Sequence, residues 1–274
     1  MRIFFKEASN IIEVTNQINR YNSDTYLMSM GVSDALYVAS DFPLNHFFVK
    51  LGSVTNSVNA ALDIQYWGGN DWEDVVHIND YTNAFSNSGF IEFTPDREES
   101  WSMESTKGVG QSIIGLESIT VYDKYWIKIT ASQSLTNNIE LEWIGNKFSD
   151  DYDLYSEFPI FNDSTFLTSF ESGKSTWEEQ HAKAAEIIIQ DLKRKNVILG
   201  KEQILERDIL LPASVAKVAE IIYNAFGKDY SDQKLSAQRE YERRIDLSKY
   251  MVDVNNNGIT DVNDVRYSQG WLSR

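Results

Sequence analysis

YWIKITASQSLTNNIELEWI, residues 125–144, carries two runs of strict alternation around a polar break. Tyr125, Ile127 and Ile129 alternate with Trp126, Lys128 and Thr130, and Ile139, Leu141 and Trp143 alternate with Glu140 and Glu142. Successive side chains of a strand point to opposite faces. A period of two built from aromatic and β-branched residues therefore marks half-buried antiparallel strands. Asn137-Asn138 supplies turn chemistry between the two runs. Toward the N-terminus, Leu62, Ile64 and Tyr66 alternate with Asp63, Gln65 and Trp67, and Gly68-Gly69-Asn70-Asp71 and Asn87-Ser88-Gly89 are further turns. Short strands at this spacing from Leu36 to Ile144 predict an antiparallel β-sandwich, with a barrel as the less favoured closure. Phe5 to Tyr21 fits either an edge strand or a short helix.

Toward the C-terminus the period changes. Ser149-Asp150-Asp151-Tyr152-Asp153 opens a polar, acidic passage that reads as a linker over 151–172, with a short strand at Ser164 to Ser169. Ser175-Thr176-Trp177-Glu178 has the spacing of a capping box with Ser175 as N-cap. Trp177, His181, Ala184, Ala185, Ile188 and Leu192 then form one helical stripe, ending near Asn196. A short helix is expected from Lys201 to Glu206. A third carries Pro212 in its first turn, buries Val215, Val218, Ala219, Ile222 and Phe226, and stops at Gly227. A densely charged fourth, Ser231 to Ile245, has Leu235, Tyr241 and Ile245 as apolar contacts. The expected fold class is α+β multidomain, an N-terminal β-sandwich followed by a small helical bundle. The expected parts are a β module over 1–150, the linker, the bundle over 173–250 and a tail over 251–274.

Composition narrows the chemistry. The 274 residues are 42% apolar and 13% aromatic, ample for a packed core, and include no Cys. Thiolate catalysis, disulfide scaffolding and Cys-ligated zinc are thereby excluded. No stretch suits a signal peptide or a membrane span, so a chain made inside a cell without export is expected. The net charge of −16 is uneven: residues 166–274 hold 16 basic and 17 acidic groups, leaving 9 basic and 24 acidic in residues 1–165. Such an acidic first part repels phosphate backbones and disfavours nucleic-acid binding.

Residues 253–264 read DVNNNGITDVND. A twelve-residue calcium loop needs side-chain oxygens at positions 1, 3 and 5, Gly at 6, a backbone carbonyl at 7, a ligand or water anchor at 9 and a carboxylate at 12. Asp253, Asn255, Asn257, Gly258, Ile259, Asp261 and Asp264 fill those places in register. The loop resembles those of dockerins and EF-hands, which implies a structural Ca²⁺ held by Asp253, Asn255, Asn257, the Ile259 carbonyl, Asp261 and Asp264. It departs from EF-hands in having Asp rather than Glu at position 12, and from dockerins in being single. The competing reading is an Asn/Asp-rich turn.

Other constellations carry less. His46, His77 and His181 are not at metal-ligand spacing, and His181 reads as a packed histidine. Asp71, Glu73 and Asp74 around Trp72 imitate a glycosidase pair, but a solvated acidic loop is the better reading. Trp67, Trp72, Trp101, Trp126 and Trp143 suit core packing over sugar stacking. Lys193-Arg194-Lys195 and Arg243-Arg244 suit solvated faces or ion pairs. No catalytic set emerges, and the chain reads as non-enzymatic.

Residues 209–223, ILLPASVAKVAEIIY, then the break from Gly227 to Asp232, then the charged run QREYERR at 238–244, are similar to the helical region of tailed-phage head-to-tail connector (adaptor) proteins. The helix from Trp177 to Leu192 fits the same bundle, so the likeness covers roughly the last 100 residues. That resemblance implies a virion neck protein made in the host cytoplasm. It implies a homo-oligomeric ring of about twelve copies under the portal, offering a platform to a tail or stopper protein, with double-stranded DNA passing through without sequence-specific binding. It also implies portal docking through the C-terminal segment, here Val265, Tyr267, Trp271 and Leu272, the last two as apolar anchors. The alternative is a carbohydrate-binding or adhesion module with a dockerin-like calcium segment.

Overall fold

A computed structural model describes residues 1–21, 24–96, 101–107, 112–261 and 264–267. They form two compact units. The first is residues 1–145 with Asp253–Asp261; the second is residues 146–252 with the described part of 262–274.

The first unit holds β1 (Arg2–Glu7), β2 (Asn10–Glu13), α1 (Thr15–Ile18), β3 (Tyr26–Met28), β4 (Ala35–Ser40), β5 (His46–Leu51), β6 (Leu62–Trp67), β7 (Trp72–Asp74), β8 (His77–Asp80), β9 (Gly89–Thr94), β10 (Tyr125–Ala131) and β11 (Ile139–Gly145). Residues 5–21 therefore contain both an edge hairpin and a one-turn helix. Two antiparallel sheets, in the orders β2-β1-β4-β10-β6-β7 and β3-β11-β5-β9-β8, make the expected sandwich. Alternate residues of each sheet meet in one core: Ile3, Phe5, Leu36, Val38, Ile64, Ile127 and Ile129 from one side, Phe47, Val49, Ile91, Ile139 and Leu141 from the other.

The outer face of the first sheet is also covered. Phe4, Tyr37, Trp67 and Trp126 lie under Ile113, Leu116 and Val121, which is why the off-core positions of β10 begin with a fully buried tryptophan. On β11 the register slips between Leu141 and Trp143, a β-bulge. The bulge corrects the simple alternation. Trp143 turns to the outer face against Phe48 (5.9 Å) and Tyr21 (5.4 Å), and Ile144 takes the core position. Gly145 follows because a Cβ there would lie 2.3 Å from the Trp143 ring.

The second unit holds α2 (Asp151–Glu157), α3 (Ser164–Phe170), α4 (Glu178–Arg194), α5 (Leu211–Ala225), α6 (Ser231–Leu247), β12 (Lys249–Met251) and β13 (Val265–Tyr267). Residues 151–172 are not a linker, and Ser164–Ser169 is not a strand. Asp150 and Asp153 form a reciprocal capping box that starts α2, and Asp163 caps α3 through the Thr165 and Phe166 N–H groups. Leu154, Phe161, Phe166 and Leu167 are then buried against Trp177 and against Val218 and Ile222 of α5. Polar composition hid these helices, because their polar residues are caps and one exposed face. Ser175 is not the cap of α4. The helix begins at Glu178 and its N-cap residue is Trp177, whose N–H donates to the Asp151 carboxylate at 3.1 Å. The stripe from Trp177 to Leu192 is buried as expected.

Between α4 and α5, residues 201–203 make only a 3₁₀ turn. α5 and α6 form a hairpin across a single 3₁₀ turn that opens at Gly227, where φ is +73°. Ala213 and Ala216 at the start of α5 share a core cluster with Tyr241 and Ile245, whereas Ile222 and Tyr223 at its end share another with Ala237, so the helices run antiparallel. Leu235, expected as a buried contact, is 44% exposed. Instead of a free tail, β13 pairs with β12 in the register Lys249↔Tyr267, Tyr250↔Arg266, Met251↔Val265.

Candidate functional site

The calcium-loop-like segment connects the two strands of that ladder. The Val252 N–H donates to the Asp264 carbonyl at 2.8 Å, closing the base of the loop. Asp253 is fully buried; its Oδ1 accepts the Asn257 N–H at 3.1 Å and its Oδ2 accepts the Gly258 N–H at 2.8 Å. Asn257 Oδ1 accepts the Ile259 N–H at 2.9 Å, and Asn255 Nδ2 donates to Asp261 Oδ2 at 2.8 Å. Two left-handed residues make the curve, Asn256 at φ +59° and Gly258 at φ +73°. Asn tolerates that region and Gly has no penalty there. A Cβ on Gly258 would also stand 3.1 Å from the Trp101 ring. Burial, and then the charge of Asp253, pushes the Tyr125 phenol up from its ordinary range.

The residue types are hard oxygen donors, and the Gly falls where a calcium loop turns. Among the described residues, however, no three His, Cys, Asp or Glu gather into a metal-sized cluster. The segment therefore fits a calcium ion in donor chemistry and in turn geometry, but not in the gathering of its carboxylates. Its flanks also differ from an EF-hand, being strands rather than helices. Of the expected docking residues, Val265 and Tyr267 belong to β13, and Trp271 and Leu272 lie outside the described residues.

The remaining sequence candidates separate. Trp67, Trp101, Trp126 and Trp143 are buried and Trp72 is half-buried, its Nε1 donating to the Ile114 carbonyl at 2.9 Å. Core packing thus accounts for four of these five tryptophans. Asp71 bonds the N–H of Trp72, and Asp74 accepts from the Gln65 amide at 2.8 Å across β6–β7. The basic clusters are held within the chain: Arg194 by Asp191, Lys195 by Asp246, Arg243 by Glu240, and Arg244 by Glu157 and Glu240.

One constellation had no sequence signal. Ser149 Oγ lies 2.7 Å from His181 Nδ1 and 2.7 Å from Ser214 Oγ, joining residues 32 and 65 positions away. His181 Nε2 is 3.2 Å from Asp151 Oδ1, a close contact rather than an aligned hydrogen bond. Burial would raise the Asp151 carboxyl, but His181, the Trp177 N–H and the Tyr155 hydroxyl outweigh it and hold it below its ordinary value. Serine, imidazole and carboxylate in that order suggest an activated nucleophile. Yet Ser149, His181 and Ser214 are 5%, 0% and 0% exposed, and the Ser149 hydroxyl is already placed between His181 and Ser214. The cluster ties the chain before α2 to α4 and α5. No family model and no curated protein matches the chain.

Proposed function

We propose that the chain is a non-enzymatic virion structural protein, a head-to-tail connector that forms a ring between the portal and a tail or stopper protein. The observation that carries this reading is the α5–α6 hairpin. An apolar helix, a one-turn break and a charged helix pack antiparallel, and that order of helices is what resembles the connector family. The same helices leave a charged, partly apolar surface: Leu235, Arg239 and Arg243 of α6 line a cleft of ≈ 760 Å³ with Glu157 and Phe158. A ring of identical copies needs such mixed surfaces, because each copy must give one face and receive another. No specific observation favours the glycan-binding alternative.

The segment from Asp253 to Asp264 is proposed to take a structural Ca²⁺, with the residues named above as ligands. Its part in the connector is to fix the C-terminal segment, which carries the proposed portal contacts Val265, Tyr267, Trp271 and Leu272. Truncation after Tyr267 keeps the β12–β13 ladder and removes both apolar anchors. Co-sedimentation with the portal ring of the same particle tests the reading: the truncated chain is expected to stay in the supernatant while the full chain pellets. Equal pelleting of both would count against C-terminal docking.

A further inference from the structure

We propose that Ser214, Ser149 and His181 form a one-way hydrogen-bond relay toward Asp151, and that it makes the second unit acid-sensitive: a proton taken up by the buried imidazole reverses the relay and strands the Ser214 hydroxyl. The direction follows from counting donors. Among the described residues the Ser214 hydroxyl has one hydrogen-bond partner, Ser149 Oγ at 2.7 Å. The Ser149 hydroxyl has two, Ser214 Oγ and His181 Nδ1, the second also at 2.7 Å. All three side chains are buried, so a proton aimed at no acceptor is costly. Ser214 has one proton and one partner, and therefore donates to Ser149. Ser149 then gives its own proton to His181 Nδ1, which has to be an acceptor. A neutral ring with a bare Nδ1 carries its proton on Nε2. That nitrogen faces Asp151 Oδ1 at 3.2 Å, where a bare Nε2 would set a lone pair against a carboxylate. Both sides of the ring select the same tautomer.

A second proton on the ring changes the count. Imidazolium has an N–H on each nitrogen, so Ser149 has to accept from Nδ1 and turn its own proton toward Ser214. The Ser214 proton is then left inside the unit with no acceptor. Against this cost stands the charge of Asp151, and Asp153 of the same helix acts in the same direction. On α4 the residues one turn to either side of His181 are Trp177, Glu178, Ala184 and Ala185, and Glu178 pairs with Lys147 at 3.5 Å. From α5 the relay receives the uncharged Ser214. The carboxylates of α2 therefore draw a proton onto the ring, and the two hydroxyls oppose it. The cost of reversal falls on the contact between Ser149, which leads into α2, and Ser214 of α5.

Long-range proton–nitrogen correlation NMR on the full chain, isotope-labelled at histidine, reads the tautomer and the titration of each ring. In the wild type at about pH 8 His181 is expected as the Nε2–H tautomer, and this measurement needs no variant. An Nδ1–H ring would overturn the relay. Ser214→Ala removes the proton that reversal strands, so its imidazole is expected to protonate at a pH at least about half a unit above that of the wild type. Asp151→Asn removes the opposing charge and is expected to move the same step to lower pH. Ser214→Ala also deletes a buried hydrogen bond and lowers the urea midpoint at about pH 8, and that loss is expected to shrink by about half or more below both titration steps. Circular dichroism melts verify that each variant is folded. Coincident titrations of the wild type and Ser214→Ala, a urea loss equal at both pH values, or a ring that stays neutral until the whole chain unfolds would each overturn the acid sensitivity.

Discussion

Asp151 stands a quarter exposed in the first turn of α2 and accepts the Trp177 N–H at the start of α4, where no side chain of that helix does so. It also faces His181 Nε2 and accepts from the Tyr155 hydroxyl at 3.2 Å. Removing it uncaps a seventeen-residue helix and takes away the carboxylate that faces the buried imidazole. Asp151→Ala is expected to cost about 1–2 kcal/mol in urea unfolding at neutral pH. The pH dependence has a definite sign. The folded carboxyl is held below its unfolded value, so its contribution is complete above about pH 4–5 and fades as pH falls through the folded value. Asp151→Asn is expected to flatten the acid limb of the stability curve; an unchanged limb would remove Asp151 from the account. Little of this was legible beforehand. The helical stripe placed His181 inside, but its neighbours Ser149 and Asp151 come from residues that only the fold brings together. Ser175 offered a local cap that the distant Asp151 displaced.

At the level of elements, legibility followed how local the cause was. The alternation in β6 and β10, the Pro212 start of α5 and the Gly227 stop are decided by neighbouring residues, and all were readable. The face of Trp143 was not, because the bulge on β11 depends on its pairing with β5. α2 and α3 were missed because short helices carry few turns of periodicity. The Asp253–Asp264 loop was readable as a turn with calcium-type donors, and its hydrogen bonds now give it a testable weak point. Gly258→Ala places a Cβ in the left-handed region and against Trp101, and is expected to lower stability by about 1–2 kcal/mol in thermal melts. Calcium at about 10 mM is expected to raise the melting temperature where magnesium does not, and Asp253→Asn to abolish the rise. No response to calcium would leave the segment as a turn held by its own hydrogen bonds.

For the molecule as a whole, the uneven charge is the property most visible in the sequence. Residues 1–165 carry a net −15 and the rest almost none. By unit the split is 8 basic against 21 acidic groups in the first and 17 against 20 in the second, so under the proposed ring reading like charge opposes contacts between copies through the sandwich more than through the helices. The division into a β-sandwich and a helical unit was legible from the strand period that ends near Ile144 and the helical period that begins at Trp177, whereas the helices between them were not. The return of Asp253–Asp261 to the first unit was not, because long-range contacts decide it. The most direct test of the connector reading is negative-stain imaging of the purified chain at high concentration, with calcium and with chelator. Closed rings of about twelve copies are the predicted result, and their loss in chelator would tie the C-terminal loop to assembly. Monomers in both conditions, and on addition of the portal ring, would contradict it.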